Sequence, residues 1–105
     1  MMDYMDIKHR IIEAFVPFDP ERIIVFGSTA ANTEDEFSDI DVIVVYRTQK
    51  RFLDRLKELY MSWSAPRAVD ILAYTPEEYE EMLCTNAFVQ DAVAHGETIY
   101  EKHVA

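Results

Sequence analysis

The chain has 105 residues, half of them apolar or aromatic, and 20 Asp+Glu against 10 Lys+Arg give it a net charge of −10. This composition excludes a disordered tail and predicts a single domain, residues 1–105, with one modest core. So acidic a surface repels nucleic acid and anionic lipid, so neither is expected as a direct partner. Cys84 is the one cysteine, so no internal disulfide is available. No apolar run approaches the roughly 20 residues of a membrane span, and MMDYMDIKHR lacks the apolar core of a signal peptide. The expectation is a cytoplasmic protein.

Ile7, Ile11, Ile12 and Phe15 recur at helical spacing, which predicts an amphipathic helix over about 4–16, ended by Pro17 and Pro20. Residues 22–26, RIIVF, are β-branched and apolar and predict a buried strand that stops at Gly27-Ser28. The stretch 29–38, TAANTEDEFS, is small, polar and acidic and reads as a helical turn followed by a loop. A second strand is expected over 39–46, DIDVIVVY. Phe52, Leu56, Leu59, Tyr60 and Trp63 then share one face of a helix from about 50 to 63, a stripe expected in the core.

Residues 68–74, AVDILAY, predict a third strand. Thr75-Pro76-Glu77-Glu78 is a capping box with proline at the first helical position, opening a helix over 76–84. Asn86 caps another helix through Phe88, Val89, Ala92 and Val93, with Gly96 at its C-terminal cap, and ETIY at 97–100 predicts a short edge strand. The fold class is therefore α/β or α+β, a small mixed sheet flanked by helices.

Three acidic residues break the apolar pattern. Asp39 and Asp41 lie two apart at the start of a buried strand, where the period of two points both to one face. Burying adjacent carboxylates costs several kcal/mol each unless compensated, and Mg²⁺, an oxygen-seeking cation, is a fitting compensation. Asp70 interrupts Val69 and Ile71-Leu72 in the third strand. If the two strands are neighbours, three carboxylates converge, a set suited to a two-metal site for displacement at phosphorus. Gly27 and Ser28 end the first strand, where backbone N–H groups and a hydroxyl could hold phosphate oxygens. The competing readings are structural: a solvated strand start for Asp39 and Asp41, and an edge carboxylate beside Arg67 for Asp70.

Gly27-Ser28, ten residues, then Asp39-Ile40-Asp41 resembles the GS-x10-DxD signature of the DNA polymerase β-like nucleotidyltransferase superfamily. The stretch FGSTAANTEDEFSDIDVIVV is similar to its minimal (MNT) branch, Asp70 in VDIL matches the third carboxylate, and TPEEYEE through HGETIYEK resembles the closing segment of such domains. The resemblance implies the nucleotidyltransferase fold, with Asp39 and Asp41 as Mg²⁺ ligands, Asp70 completing the metal site and activating the attacking hydroxyl, and Gly27 and Ser28 on the triphosphate. It implies transfer of AMP from ATP, and a partnership like that of antitoxins whose HEPN-type toxin is adenylylated on tyrosine. Where members often show GSRARG, this chain carries Thr29, Ala31 and Asn32; the missing arginines favour an alternative in which the domain silences its partner by binding alone. Drug modification, as in aminoglycoside nucleotidyltransferases, is disfavoured because 105 residues leave no room for a second substrate-binding domain; a dimer could build the missing wall. His9, His95 and His103 lack metal-ligand spacing and read as surface or structural residues. Cys84 reads as a passive thiol, and Glu77, Glu78, Glu80 and Glu81 read as a solvated helix face.

Overall fold

The computed structural model of the chain describes residues 3–27 and 39–102. Ser28 and the predicted turn and loop over 29–38 lie outside the described residues, as does His103. In chain order come α1 (Tyr4–Phe15), a 3-10 turn (Val16–Phe18), β1 (Arg22–Phe26), β2 (Ile40–Val45), α2 (Phe52–Ser62), β3 (Val69–Tyr74), α3 (Pro76–Thr85), α4 (Ala87–His95) and β4 (Glu97–Glu101). The helices and strands expected among the described residues are present, most within a residue or two of their expected limits. The second strand is shorter by one residue at each end, because Asp39 precedes the ladder and Tyr46 follows it.

Sheet order is β3-β2-β1-β4. β1 is antiparallel to both β2 and β4, whereas β2 and β3 run parallel with α2 as the crossover. The sheet is thus mixed, as its sequence predicts. β4 carries a register shift opposite Ile23 and Ile24, the kind of bulge that suits an edge strand.

Alternation along the strands builds a core on each face. Ile23, Val25, Val42, Val44, Ile71 and Ala73 face α1 and α2 and pack with Ile7, Ile11, Phe15 and Leu59. Ile24, Phe26, Ile43 and Val45 face the opposite way and pack with Tyr79 and Ala92 of α3 and α4. Local signals fix the helix starts. Asp3 accepts from the backbone N–H of Asp6 at 2.9 Å, the Thr75–Glu78 capping box forms in both directions, and Asn86 Oδ1 accepts from Val89 N–H at 3.0 Å.

Two expectations need correction. The α2 stripe is not uniformly core: Leu59 is buried, Leu56 and Trp63 are partly buried, and Phe52 and Tyr60 stay about two-fifths exposed. A charged residue, Arg55, takes the buried place instead. Its Nε donates to Lys50 O at 2.7 Å, and its Nη1 donates to Ala73 O at 3.2 Å and Glu78 Oε1 at 2.6 Å. Glu78 is accordingly not a merely solvated side chain; it closes the α3 cap and the Arg55 pair together. Gly96 stands at the α4 C-terminal cap as expected, in an extended conformation. Its smallness matters for proximity, since a Cβ there would lie 2.7 Å from Val25 O and 2.6 Å from Ala92 O. Only glycine lets the end of α4 lie this close to β1.

Candidate active site

The parallel ladder sets Asp41 of β2 directly beside Asp70 of β3. Both belong to the sheet face that carries Ile43, Val45, Leu72 and Tyr74, by the alternation of their strands. The antiparallel ladder sets Phe26, the last residue of β1, opposite Asp41. Gly27 follows with φ of +75°, and a Cβ built on it would collide with Asp41 Oδ2. The backbone turn after β1 therefore touches the Asp41 carboxylate, and a residue with no side chain is what permits it.

The environments of the three aspartates differ. Asp39 and Asp70 are exposed, whereas Asp41 is half-buried. The Asp41 carboxyl is pushed above the usual carboxylate range, first by burial, then by the charges of Asp70 and Asp39. The strand pairing puts all three carboxylates at one strand end, and the charges of Asp70 and Asp39 act on Asp41 there. They do not yet meet at a point: among the described residues, no three of His, Cys, Asp and Glu are gathered closely enough to hold a metal ion. Neighbouring strands lie about 4.8 Å apart, so aspartates at paired positions can turn toward a shared ion. The donor chemistry fits a hard divalent cation, for all the donors are carboxylate oxygens and no positive charge among the described residues offsets the burial of Asp41.

A cleft of about 370 Å³ opens beside this strand end, lined by Phe26, Gly27, Asp41, Phe88, Asp91, Ala92 and His95. Phe88, Asp91, Ala92 and His95 recur at i, i+3, i+4 and i+7 and so present one face of α4 to it. The sequence reading gave His95 a surface or structural role and placed Phe88 only on the helix capped by Asn86. His95 is indeed exposed, yet it lines the cleft, and Phe88 is 61% exposed with its ring edge-on to Phe26 at 5.8 Å. The signal for these residues was their helical spacing beside a glycine at the helix end. It could have been read only once α4 was known to pack on β1. A larger hollow, about 540 Å³, runs along α1 past Asp6, His9 and Arg10 and contains none of the three aspartates. No helix among the described residues is long and apolar enough to cross a membrane.

Comparison with known proteins gives this arrangement a context. A protein of Methanocaldococcus jannaschii, provisionally named a protein adenylyltransferase, is 34% identical over 74 residues, covering 70% of this chain and 80% of its own. Among solved structures, a provisionally assigned nucleotidyltransferase from Sulfolobus solfataricus superposes with a TM-score of 0.61 at 20% identity, over 91% of this chain and 78% of the other. A toxin–antitoxin complex crystallised with AMP-PNP gives a TM-score of 0.65 at 21% identity, over 91% and 74%. The MntA–HpeT toxin–antitoxin, in a form with two Asp-to-Glu substitutions, gives 0.64 at 19%, again over 91% and 74%. Such structural likenesses establish the nucleotidyltransferase fold. The profile of the polymerase beta nucleotidyltransferases matches residues 9–104, and on that match and the curated relative the chain belongs to the polymerase β nucleotidyltransferase family.

Proposed function

We propose that this domain transfers AMP from ATP to a hydroxyl on a protein partner, with release of pyrophosphate. The observation that carries the reading is the pairing of Asp41 with Asp70 across adjacent strands, with Gly27 pressed against Asp41. Asp39, Asp41 and Asp70 would hold Mg²⁺, which supplies charge neutralisation and orientation for the triphosphate. Gly27 offers its bare backbone to the phosphates, together with Ser28, whose role rests on the sequence motif. Asp70 stands at the strand farther from Gly27 and accepts the proton of the incoming hydroxyl. The acceptor oxygen bonds to the α-phosphorus as the bond to the bridging oxygen breaks, and pyrophosphate leaves.

A protein acceptor is supported by the name of the M. jannaschii relative and by the toxin–antitoxin character of two structural neighbours. The net charge of −10 points the same way, since it favours a basic protein over nucleic acid. By analogy with MNT antitoxins, the partner is a HEPN-type toxin and the acceptor a tyrosine. The test is to incubate the domain with the product of its neighbouring gene, ATP and Mg²⁺, and to weigh the products. The neighbour should gain the mass of one or more AMP units, and Asp39→Ala should abolish the gain. Tight binding that silences the neighbour without any mass gain would establish neutralisation by occlusion and end the enzymatic reading.

A further inference from the structure

The α4 wall of the cleft beside Asp41 is accounted for by neither the carboxylates nor the phosphate turn. Its position is constrained. Sheet order puts β2 between β1 and β3, so Gly27 and Asp70 lie on opposite sides of Asp41. Among the described residues, the cleft takes in Gly27 and Asp41 but not Asp70. It therefore belongs to the nucleotide's side of the site and not to the acceptor's.

Its chemistry narrows the occupant further. Asp41 and Asp91 give the lining two carboxylates, and it has no Lys or Arg among the described residues. Gly27 and Asp41, at the strand end, belong to the phosphate and metal site, whereas the α4 wall of Phe88, Asp91, Ala92 and His95 offers phosphate a carboxylate and no Lys or Arg, so the triphosphate is not what this wall takes. What remains of a nucleotide is the nucleoside, neutral and flat at its base. Phe88 offers a matching flat surface: its ring is largely exposed, yet fixed by the edge contact with Phe26. Aromatic side chains placed in this way stack on bases whatever their identity.

The polar end of the cleft adds a directional element. His95 Nδ1 lies 3.1 Å from the backbone oxygen of Asp91 and 3.1 Å from Asp91 Oδ1. Both neighbours are acceptors, so Nδ1 carries the hydrogen. In the neutral imidazole Nε2 is then an acceptor, complementary to an amino group. Gly96 completes the device by allowing α4 to lie against β1, which brings this face of the helix to the strand end.

We propose that the cleft between α4 and the ends of β1 and β2 seats the nucleobase, with Phe88 stacking on it and His95 accepting from its exocyclic amino group. This inference rests on the nucleotide-transfer reading, and its test separates the two. Binding of ATP, ITP and inorganic tripolyphosphate, each with Mg²⁺, is measured by calorimetry on the whole chain and on Phe88→Ala, Phe88→Leu and His95→Ala. Phe88→Ala should weaken ATP by about tenfold and leave tripolyphosphate unchanged. Phe88→Leu keeps an apolar side chain over Phe26 but loses the flat ring, and should weaken ATP similarly. The wild type should prefer ATP to ITP, which lacks the amino group, and His95→Ala should erase that preference. Equal ATP affinity in wild type and both Phe88 variants overturns the nucleobase seat alone. If those variants instead weaken binding of the acceptor protein, the ring serves the acceptor and the seat is again overturned. Equal affinity of the wild type for ATP and ITP overturns the role of His95. Failure of the wild type to bind either ATP or tripolyphosphate overturns the parent reading and this one with it.

Discussion

Replacing Gly27 by alanine tests the link between a backbone turn and a carboxylate that the site depends on. At φ of +75° an L-residue sits in the left-handed region, which costs roughly 1–2 kcal/mol. The new methyl group would also collide with Asp41 Oδ2. To restore ordinary van der Waals separation the carboxylate must retreat by about 1 Å. A misplacement of about 1 Å in a catalytic arrangement can cost on the order of 10²-fold in rate. Gly27→Ala should therefore lower the melting temperature by roughly 4–8 °C per kcal/mol lost. At a temperature where circular dichroism shows it fully folded, its rate of AMP transfer should fall by about two orders of magnitude. The assay is transfer of labelled AMP to the partner protein, run beside the thermal melt. A variant that melts lower but transfers AMP at the wild-type rate would refute the reasoning, for Asp41 would then have no need of its position. So would a variant unchanged in both respects, which would mean that the turn relaxes without consequence.

Asp41→Asn should abolish transfer while leaving the metal-free melting temperature unchanged or higher, because the carboxyl is held above its usual range by burial and by Asp70 and Asp39. The sign is that of an acid whose folded value is raised: the wild type loses stability as pH rises through that value, Asp41→Asn does not, and melts across pH in chelator would show the difference. Arg55→Ala removes two bonds to backbone carbonyls at about 1 kcal/mol each and a bidentate pair discounted to about 1 because Glu78 is 43% exposed. The resulting loss of about 3 kcal/mol corresponds to a melting temperature lower by on the order of 10–20 °C; a loss below about 1 kcal/mol would show the buried guanidinium to be inert. Glu78 is held below the usual carboxylate range, first by its bond from Arg55. It therefore stabilises the fold above the ordinary carboxylate range and loses that contribution as pH falls through its lower folded value. Acid titration of Arg55→Ala should show a smaller fall in stability there than the wild type does.

Strands announced themselves because RIIVF, DVIVV and the apolar half of AVDILAY have few other uses than burial, and helices because caps and periodicity agreed at Thr75, Asn86 and along α1. The acidic pair was visible for the opposite reason: carboxylates at the head of such a strand contradict its pattern. Pairing was the step that local sequence could not supply. Nothing within AVDILAY states that Asp70 is set beside Asp41 and not one position along, since parallel register arises from the crossover through α2 and the packing of both faces. Arg55 escaped notice because a single arginine on an amphipathic helix reads as surface. Its buried position becomes intelligible only once the carbonyls of Lys50 and Ala73 and the carboxylate of Glu78 are seen around it. Phe88 was missed for the converse reason, as a large apolar residue at core spacing that the fold leaves in solvent.

The strand order also bears on how an acceptor can arrive. In-line displacement needs the incoming oxygen and the departing pyrophosphate on opposite sides of the phosphorus. With Gly27 just after β1 and Asp70 on β3, the two sides are separated by the width of β2. The β1 side is walled by α4 through the contact at Gly96, which leaves the β3 side for the acceptor. β3 is an edge strand, and an edge invites addition of a partner's strand. Here that invitation is blocked next to Asp70, because the N–H of Ile71 already donates to the Tyr60 hydroxyl at 3.0 Å. Tyr60 comes from α2 and stands half-exposed at that edge. A strand added along β3 would have to displace this bond, so in the proposed reaction approach over the face that carries the carboxylates is favoured. In the proposed reaction that is where a hydroxyl held on a folded protein has to be presented, so the edge that Tyr60 closes and the face that the aspartates occupy favour the same direction of approach.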